Sequence, residues 1–472
     1  MERRQGSIES LEALEARSRE LDSAPGELTV WLDQVAQFSA AYVASNATGP
    51  AFLGDRSEIP AVPLPAAPAP FPAVLEEFRD LVLTRGIVPT SGRFFGYVPG
   101  GGLPSAAIGD YLAALTNRYS GVYGAAPGAA SVENTAIRWL IEMIGYPDGA
   151  WGTLQSGGSL ATLTAIVAAR ETRPPADWPR GVLYLTQECH IAIRKALHIA
   201  GLAHVTTRLV PVDATLKMSV PDLARSVDAD RRAGLLPWMV FASAGTVNTG
   251  AIDPLDAIAD LAREARMWFH VDAAYGGFFV LTDRARAKLK AMARADSVVL
   301  DPHKGLFLPY GCGAVLVRDG RLLRKGFEFT SSYLEDVRHD AAASPADYSP
   351  ELTRHFRGLR LWMSLKLHGL DRFRAALEEK LILAELAQER LAALPRIEAG
   401  PEPELSCVAF RVRGTGDAPT QSMIDRMLGR GRVHVSSTRL WGKLYLRLCV
   451  LCFRSHWDDV GVALEEIEAA AG

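Results

Sequence analysis

Two apolar runs in this chain end on groups that could do chemistry. Trp268 to Val271 lead into Asp272, and Val298 to Leu300 lead into Asp301, His303 and Lys304. Buried parallel strands look like this when their carboxyl ends open onto a site. In open α/β sheets the ligand sits outside those ends, so Asp272 and Lys304 are placed to face one ligand. A lysine and a carboxylate on neighbouring strand ends suggest pyridoxal phosphate. The lysine would form its Schiff base, and the carboxylate would partner the pyridinium nitrogen.

The wording around these residues is more specific than their spacing. HVDAAYGG followed by DPHKG resembles the pyridoxal-phosphate-dependent group II amino acid decarboxylases, the family of aromatic-L-amino-acid decarboxylase. The resemblance runs from about Phe94 to the C-terminus. It implies an α/β protein of fold type I, aspartate-aminotransferase-like, with a mainly parallel central sheet and a small α+β C-terminal domain. It also implies pyridoxal 5'-phosphate as cofactor and a homodimer with a shared active site.

The reaction needs these residue types. Lys304 must be partly neutral to attack an aldehyde, and a cationic ring with partial desolvation would lower its pKa. Asp272 keeps the ring nitrogen protonated, which turns the ring into an electron sink. His303 flanks the lysine and is given a cofactor role. Relatives often carry asparagine where Asp301 stands, and a carboxylate beside a phosphate is repulsive, so Asp301 is left out of the phosphate set.

The elements upstream must position the rest of the site. In WGTLQSGGSLATLTAIVAAR a strand turns sharply into a helix, and Ser156 to Ser159 put backbone N–H groups at the helix N-terminus, where a phosphate is stabilised. Gly157, Gly158 and Ser159 match the family's phosphate cup. His190 stands where the next strand hands over to a helix. Read alone it is a cap or a core histidine; the resemblance makes it the histidine that stacks on the cofactor ring and contacts the substrate carboxylate. Thr246 ends the next strand, where the resemblance places a small hydroxyl residue beside the cofactor ring, and with Ala274 it completes the cofactor set that the resemblance implies. In RFFGYVPGGGLPS the glycines forbid regular structure. The family places its substrate side-chain pocket here, which nominates Tyr97, Val98 and Pro99. Gly100 stands where catechol-handling relatives carry a hydroxyl residue, which speaks against a catechol.

The stretch from Phe327 through Tyr348 is weakly patterned and reads as a mobile loop that closes over the site. The resemblance makes Tyr348 the loop tyrosine that delivers a proton to Cα, and tyrosine there favours decarboxylation over oxygen-consuming aldehyde synthesis. Catalysis is thus assigned to Lys304, Tyr348, His190 and Asp272.

At 472 residues the chain is long enough for two or three cores. The expected division is 1–90, an N-terminal helical arm with a proline-rich connector from Pro60; 91–365, the cofactor-binding domain; and 366–472, the small domain. In the arm, Leu28, Trp31, Leu32, Val35, Ser39 and Tyr42 form an apolar helix face that needs a partner, and the family's partner is a second subunit. Lys+Arg 51 against Asp+Glu 54, for a net charge of −3, argues against nucleic-acid binding. No apolar run approaches a membrane span, and a soluble, cytoplasmic protein is expected. Five cysteines give no disulfide framework. Cys449 and Cys452, read on opposite faces of one strand, form neither a redox pair nor a metal site.

The expected reaction is removal of the α-carboxylate of an L-amino acid as carbon dioxide, with Tyr348 or Lys304 reprotonating Cα. An aromatic substrate comes first, by resemblance. Acidic or basic substrates (aspartate, glutamate, diaminobutyrate), an aldehyde synthase, a transaminase and a cofactor-binding pseudoenzyme are the alternatives left open.

Overall fold

The computed structural model describes residues 2–46, 48–54, 57–59, 61–329, 336, 342–414 and 416–472. Its strands are β1 (Phe94–Phe95), β2 (Trp151–Gln155), β3 (Gly181–Leu185), β4 (Thr206–Leu209), β5 (Leu236–Ser243), β6 (Trp268–Asp272), β7 (Ser297–Leu300), β8 (Gly313–Val317), β9 (Ile397–Ala399), β10 (Cys407–Val412), β11 (His434–Leu440) and β12 (Lys443–Cys449). They form a seven-stranded sheet in the order β2-β8-β7-β6-β5-β3-β4 and a five-stranded sheet in the order β1-β11-β12-β10-β9.

In the larger sheet β8 runs against both of its neighbours, and the pairings from β7 through β4 are parallel. The strand sequences are apolar on both faces because both faces are covered. Val182, Tyr184, Val240, Ala242, Val298 and Leu300 belong to one core; Leu183, Leu185, Met239, Phe241 and Val299 belong to the other. That alternation is the two-residue period of a strand buried between layers of helices. Helices Pro127–Ile144 and Leu255–Ala265 cover the first face, and Gly158–Arg170 and Ile191–Ile199 the second. The fold is α/β with a mainly parallel central sheet, and the carboxyl ends of β3, β5, β6 and β7 share one edge.

The five-stranded sheet packs on the long helix Leu370–Ala392 and on Trp457–Ala471. Its outer strand is Phe94–Phe95, parallel to β11, although the sequence division groups these residues with the larger sheet. The chain enters the C-terminal sheet first and then leaves it through Tyr97 for the site. Cys449 ends β12, so Cys452 lies beyond the strand instead of on its opposite face; both are buried and free.

The arm helix forms at Pro25–Ser45 and buries none of its residues. Trp31 stacks on Phe71 at 5.6 Å, Phe38 meets Phe78 at 6.0 Å, and the Tyr42 hydroxyl lies 2.8 Å from Thr90 Oγ1. The arm therefore touches its own chain while much of its apolar face stays exposed. Residues 61–69 have no regular structure, in line with the proline-rich reading; Pro60 lies outside the described residues. Among the described residues no helix is long and apolar enough to cross a membrane.

His270 lies inside β6, its Nδ1 2.8 Å from Ser297 Oγ, and burial pushes it down to about 4. The unfolded chain therefore binds the extra proton between the ordinary value near 6.5 and 4. The stability this contributes is complete above pH 6.5 and is lost as pH falls toward 4. We predict that the wild type loses about 2 kcal/mol more unfolding free energy between pH 7 and pH 5 than His270→Phe does, as read by guanidinium unfolding. Parallel pH profiles would show that His270 is not the source.

Candidate active site

Asp272 and Lys304 meet at the shared edge. Asp272 ends β6 between Ser243 of β5 and Val299 of β7. Its Oδ1 accepts the Ala274 N–H at 3.1 Å, which fixes the carboxylate over the edge; Ala274 itself is buried. Lys304 sits in the short helix Pro302–Gly305 that follows β7. Its Nζ is 2.8 Å from Asp301 Oδ2. Burial disfavours the ammonium, yet the charge and hydrogen-bonding of Asp301, with Asp272 adding, outweigh it and hold Lys304 above the ordinary lysine value. Asp301 thus opposes the lowering that a cationic ring and desolvation are expected to give Lys304. Here a carboxylate three residues away supplies the largest neighbouring charge.

The phosphate turn rests on the same segment. A Cβ on Gly158 would lie 3.0 Å from Asp301 Oδ2, and one on Gly157 would lie 3.5 Å from His303 Cε1. Opposite, a Cβ on Gly313 would strike the Gly157 backbone at 2.5 Å. Bare backbone is needed where β2, β7 and β8 converge. Gly157 caps the helix Gly158–Arg170 without a side-chain hydrogen bond, so Gly158 and Ser159 turn uncapped N–H groups outward. His303 Nδ1 lies 2.6 Å from the Cys312 carbonyl, to which it donates, and burial lowers its basicity against the pull of Asp301. His303 thus turns Cε1 toward Gly157 and Nε2 toward Asp301 Oδ2, at 3.6 Å.

His190 and Thr246 stand on flanking strand ends. His190 is exposed and caps the helix Ile191–Ile199, its Nδ1 accepting the Ala192 N–H at 3.1 Å. Its cap role and its place at the edge therefore coexist. Thr246 is buried, and its hydroxyl is engaged within its own turn, 3.1 Å from Thr249 Oγ1 and 3.2 Å from the Ala251 N–H.

The Tyr97 segment closes another side. Tyr97 is left-handed (φ 57°), Val98 is half-buried and Pro99 buried. A Cβ on Gly100 would sit 2.2 Å from the His303 carbonyl oxygen, so the glycine run lies directly on the Lys304 segment. The turn is held by a residue that the sequence reading passed over. Buried Arg447 donates to the Asn248 carbonyl at 3.0 Å, to Ser436 Oγ at 3.0 Å and to the Tyr97 carbonyl at 3.3 Å. An arginine inside the apolar strand LYLRLC was the available signal.

Tyr348 is not brought to this centre. Its ring lies against Trp151 at 5.9 Å, and the charges around its hydroxyl are those of Arg324, Asp347 and Glu328. Trp151 begins β2, whereas the phosphate turn follows Gln155 at its other end, about 13 Å along the strand. Burial and these carboxylates raise the phenol against the pull of Arg324. Most of the stretch read as a closing loop, 330–335 and 337–341, lies outside the described residues.

The residues present fit pyridoxal 5'-phosphate: bare N–H groups at a helix start, a carboxylate fixed at one strand end, and a lysine beside it. The family model for the pyridoxal-dependent decarboxylase conserved domain matches residues 56–413. An aromatic-L-amino-acid decarboxylase of Bacillus atrophaeus is 33% identical over 388 residues, 80% of this chain and 81% of the relative. An L-2,4-diaminobutyrate decarboxylase of Rhizobium meliloti is 31% identical over 451 residues, 93% of this chain and 89% of the relative. The crystal structure of Oryza sativa TDC with PLP and tryptamine superposes with a TM-score of 0.89 at 25% identity, covering 95% of this chain and 98% of that one. The chain belongs to the pyridoxal-dependent decarboxylases: it is an amino acid carboxy-lyase of fold type I that uses pyridoxal 5'-phosphate.

Asp301 should govern the charge of Lys304. In Asp301→Asn the cofactor-free protein should acylate at Lys304 several-fold faster at pH 8, scored by peptide mass spectrometry. An unchanged rate would mean that the carboxylate does not hold that proton.

Proposed function

We propose that this pyridoxal-dependent decarboxylase acts on an aromatic L-amino acid and releases the primary amine. The observation that carries the reading is the aromatic cluster around Tyr97, whose following Gly100 backbone lies directly on the Lys304 segment. Phe94 stacks on His434 at 5.1 Å, the Tyr97 ring lies 6.4 Å from both, and Tyr310 approaches His303 edge-on at 5.7 Å. The Bacillus relative, at 33% identity, carries an aromatic-L-amino-acid name. The diaminobutyrate decarboxylase at 31% makes a basic substrate the second reading.

We infer the residue roles from the family resemblance, with the positions described above in support. When bound, the cofactor supplies an aldehyde carbon for Lys304 and a ring that accepts the electron pair left as carbon dioxide departs. The N–H groups of Gly157, Gly158 and Ser159 hold the phosphate, and His303 supports the turn from below. Asp272 keeps the ring nitrogen protonated, with Ala274 fixing its carboxylate and Thr246 packing at the flank. His190 would orient the substrate carboxylate. Tyr97, Val98 and Pro99 receive the side chain. Lys304 returns the proton to Cα, since Tyr348 stands off on Trp151.

A panel of aromatic, acidic and basic L-amino acids with added pyridoxal phosphate, read by mass spectrometry, decides the substrate. Amine from tyrosine, phenylalanine or tryptophan is expected, and turnover confined to diaminobutyrate or acidic substrates would overturn the aromatic reading. In the same assay Tyr348→Phe should keep amine as its main product; a switch to aldehyde would return the proton to Tyr348.

A two-fold dimer would complete the site. The arm helix has no buried residue, and Ile108, Tyr111 and Leu115 form an exposed row on the helix Pro104–Thr116, with Tyr97 and Tyr310 exposed nearby. Ile108→Asp should therefore lower the mass measured by light scattering from dimer to monomer; a monomeric wild type would refute the shared site.

A further inference from the structure

The larger sheet has an open side at β2, the strand that delivers the phosphate turn. Among the described residues no strand covers that side. Instead the segment 343–358 runs along it. Tyr348 lies on Trp151, Gln155 Nε2 donates to Ser349 Oγ at 3.3 Å, and the Arg354 guanidinium reaches Thr153 Oγ1 at 3.4 Å and donates to the Leu154 carbonyl. Arg354 thus caps the last carbonyl before Gln155 and the turn.

A buried ion pair helps fix this cover from behind. Arg354 Nη1 lies 2.8 Å from Glu133 Oε1, with side-chain exposures of 0% and 1%. Glu133 sits on the helix Pro127–Ile144, and a Cβ on Gly358 would strike the Glu133 Cα at 2.7 Å, so helix and segment are in backbone contact. The next residue on the helix, Asn134, donates to the Ala343 carbonyl at 2.9 Å where the segment begins. Ser344 Oγ accepts the Tyr123 N–H at 3.1 Å, and the Ala346 N–H donates to the Gly121 carbonyl. Arg357 is held separately by Glu351, at 2.7 and 2.9 Å. Burial raises the Glu133 carboxyl against the pull of Arg354 and Arg357.

A fully buried ion pair contributes little stability over a well-packed apolar pair, so stability alone does not explain its presence. What an apolar pair could not do is hold the Leu154 carbonyl and the helix at once. We propose that Glu133 and Arg354 are positioning residues: their ion pair clamps the open edge of β2 and so sets the phosphate turn for anion binding. This rests on the assignment of the turn to the cofactor phosphate, and it goes beyond it by naming what holds the turn in place.

The test separates clamp from packing. The variants are Glu133→Gln, Arg354→Met and the double variant Glu133→Gln/Arg354→Met. The readouts are thermal unfolding and the dissociation constants of pyridoxal phosphate and of pyridoxine 5'-phosphate, which cannot bond to Lys304. Each single variant should weaken both ligands tenfold or more and lower Tm. The double variant should recover most of the Tm while both ligands stay weak. Recovery of affinity together with Tm would make the pair mere packing, and wild-type affinity in a folded single variant would overturn the clamp directly. Should the single variants fail to fold, Thr153→Val, which removes one Arg354 contact and no charge, should still weaken pyridoxine 5'-phosphate several-fold; wild-type affinity there would also overturn it. If unphosphorylated pyridoxine is weakened as much as its phosphate in the clamp variants, the turn is not the phosphate site and the underlying assignment fails instead.

Discussion

The contact between Lys304 Nζ and Asp301 Oδ2, at 2.8 Å, is the constraint around which the site is arranged. A lysine that must become a nucleophile is held as an ammonium by a carboxylate that is itself 2% exposed. Such an arrangement is stable only because everything near it is fixed: His303 by the Cys312 carbonyl, the glycine run by contact with the His303 carbonyl, and Gly157 by Gly313. Among the described residues Asp301 Oδ1 has no hydrogen-bond partner, although it lies under the turn that offers N–H groups. A buried lone acceptor is costly unless a donor arrives. The pair therefore stores both the proton that Lys304 must lose and an acceptor facing the phosphate turn.

Much of this was legible in the sequence because it is local. A buried parallel strand must be apolar on both faces, so its end is marked where polarity begins; Asp272, Lys304 and the Gly157 turn all sit at such boundaries. The glycines of RFFGYVPGGGLPS mark bare backbone, and the structure supplies the reason in the close approach to His303. What stayed hidden depends on contacts between residues far apart in the chain. Phe94 and Phe95 join a sheet made of residues near the C-terminus, which no local period can announce. Arg447 reads as a flaw in an apolar strand until its three acceptors are seen. Tyr348 reads as a loop residue, but the stacking surface of Trp151 and the nearby Arg324 decide where its ring rests.

Lys304 shows how a sound principle can meet the wrong neighbour. Desolvation does press its pKa down, as burial demands. Asp301 presses the other way and prevails. Asp301 reads as a poor neighbour for a phosphate because two anions repel, and the structure gives it a different partner, the Lys304 ammonium.

The same logic bears on which substrates the site can accept. The charged groups named here each have a partner: Asp301 has the lysine through Oδ2, Asp272 the Ala274 N–H, and Arg447 three acceptors around the Tyr97 turn. A substrate bearing a charged side chain would have to draw on one of these, and taking Arg447 would release the wall that encloses the side chain. The proposed aromatic substrate would make no such demand. It would need only area, which Tyr97, Val98 and Pro99 would supply together with Tyr310 on that reading, and it would leave the buried charges paired.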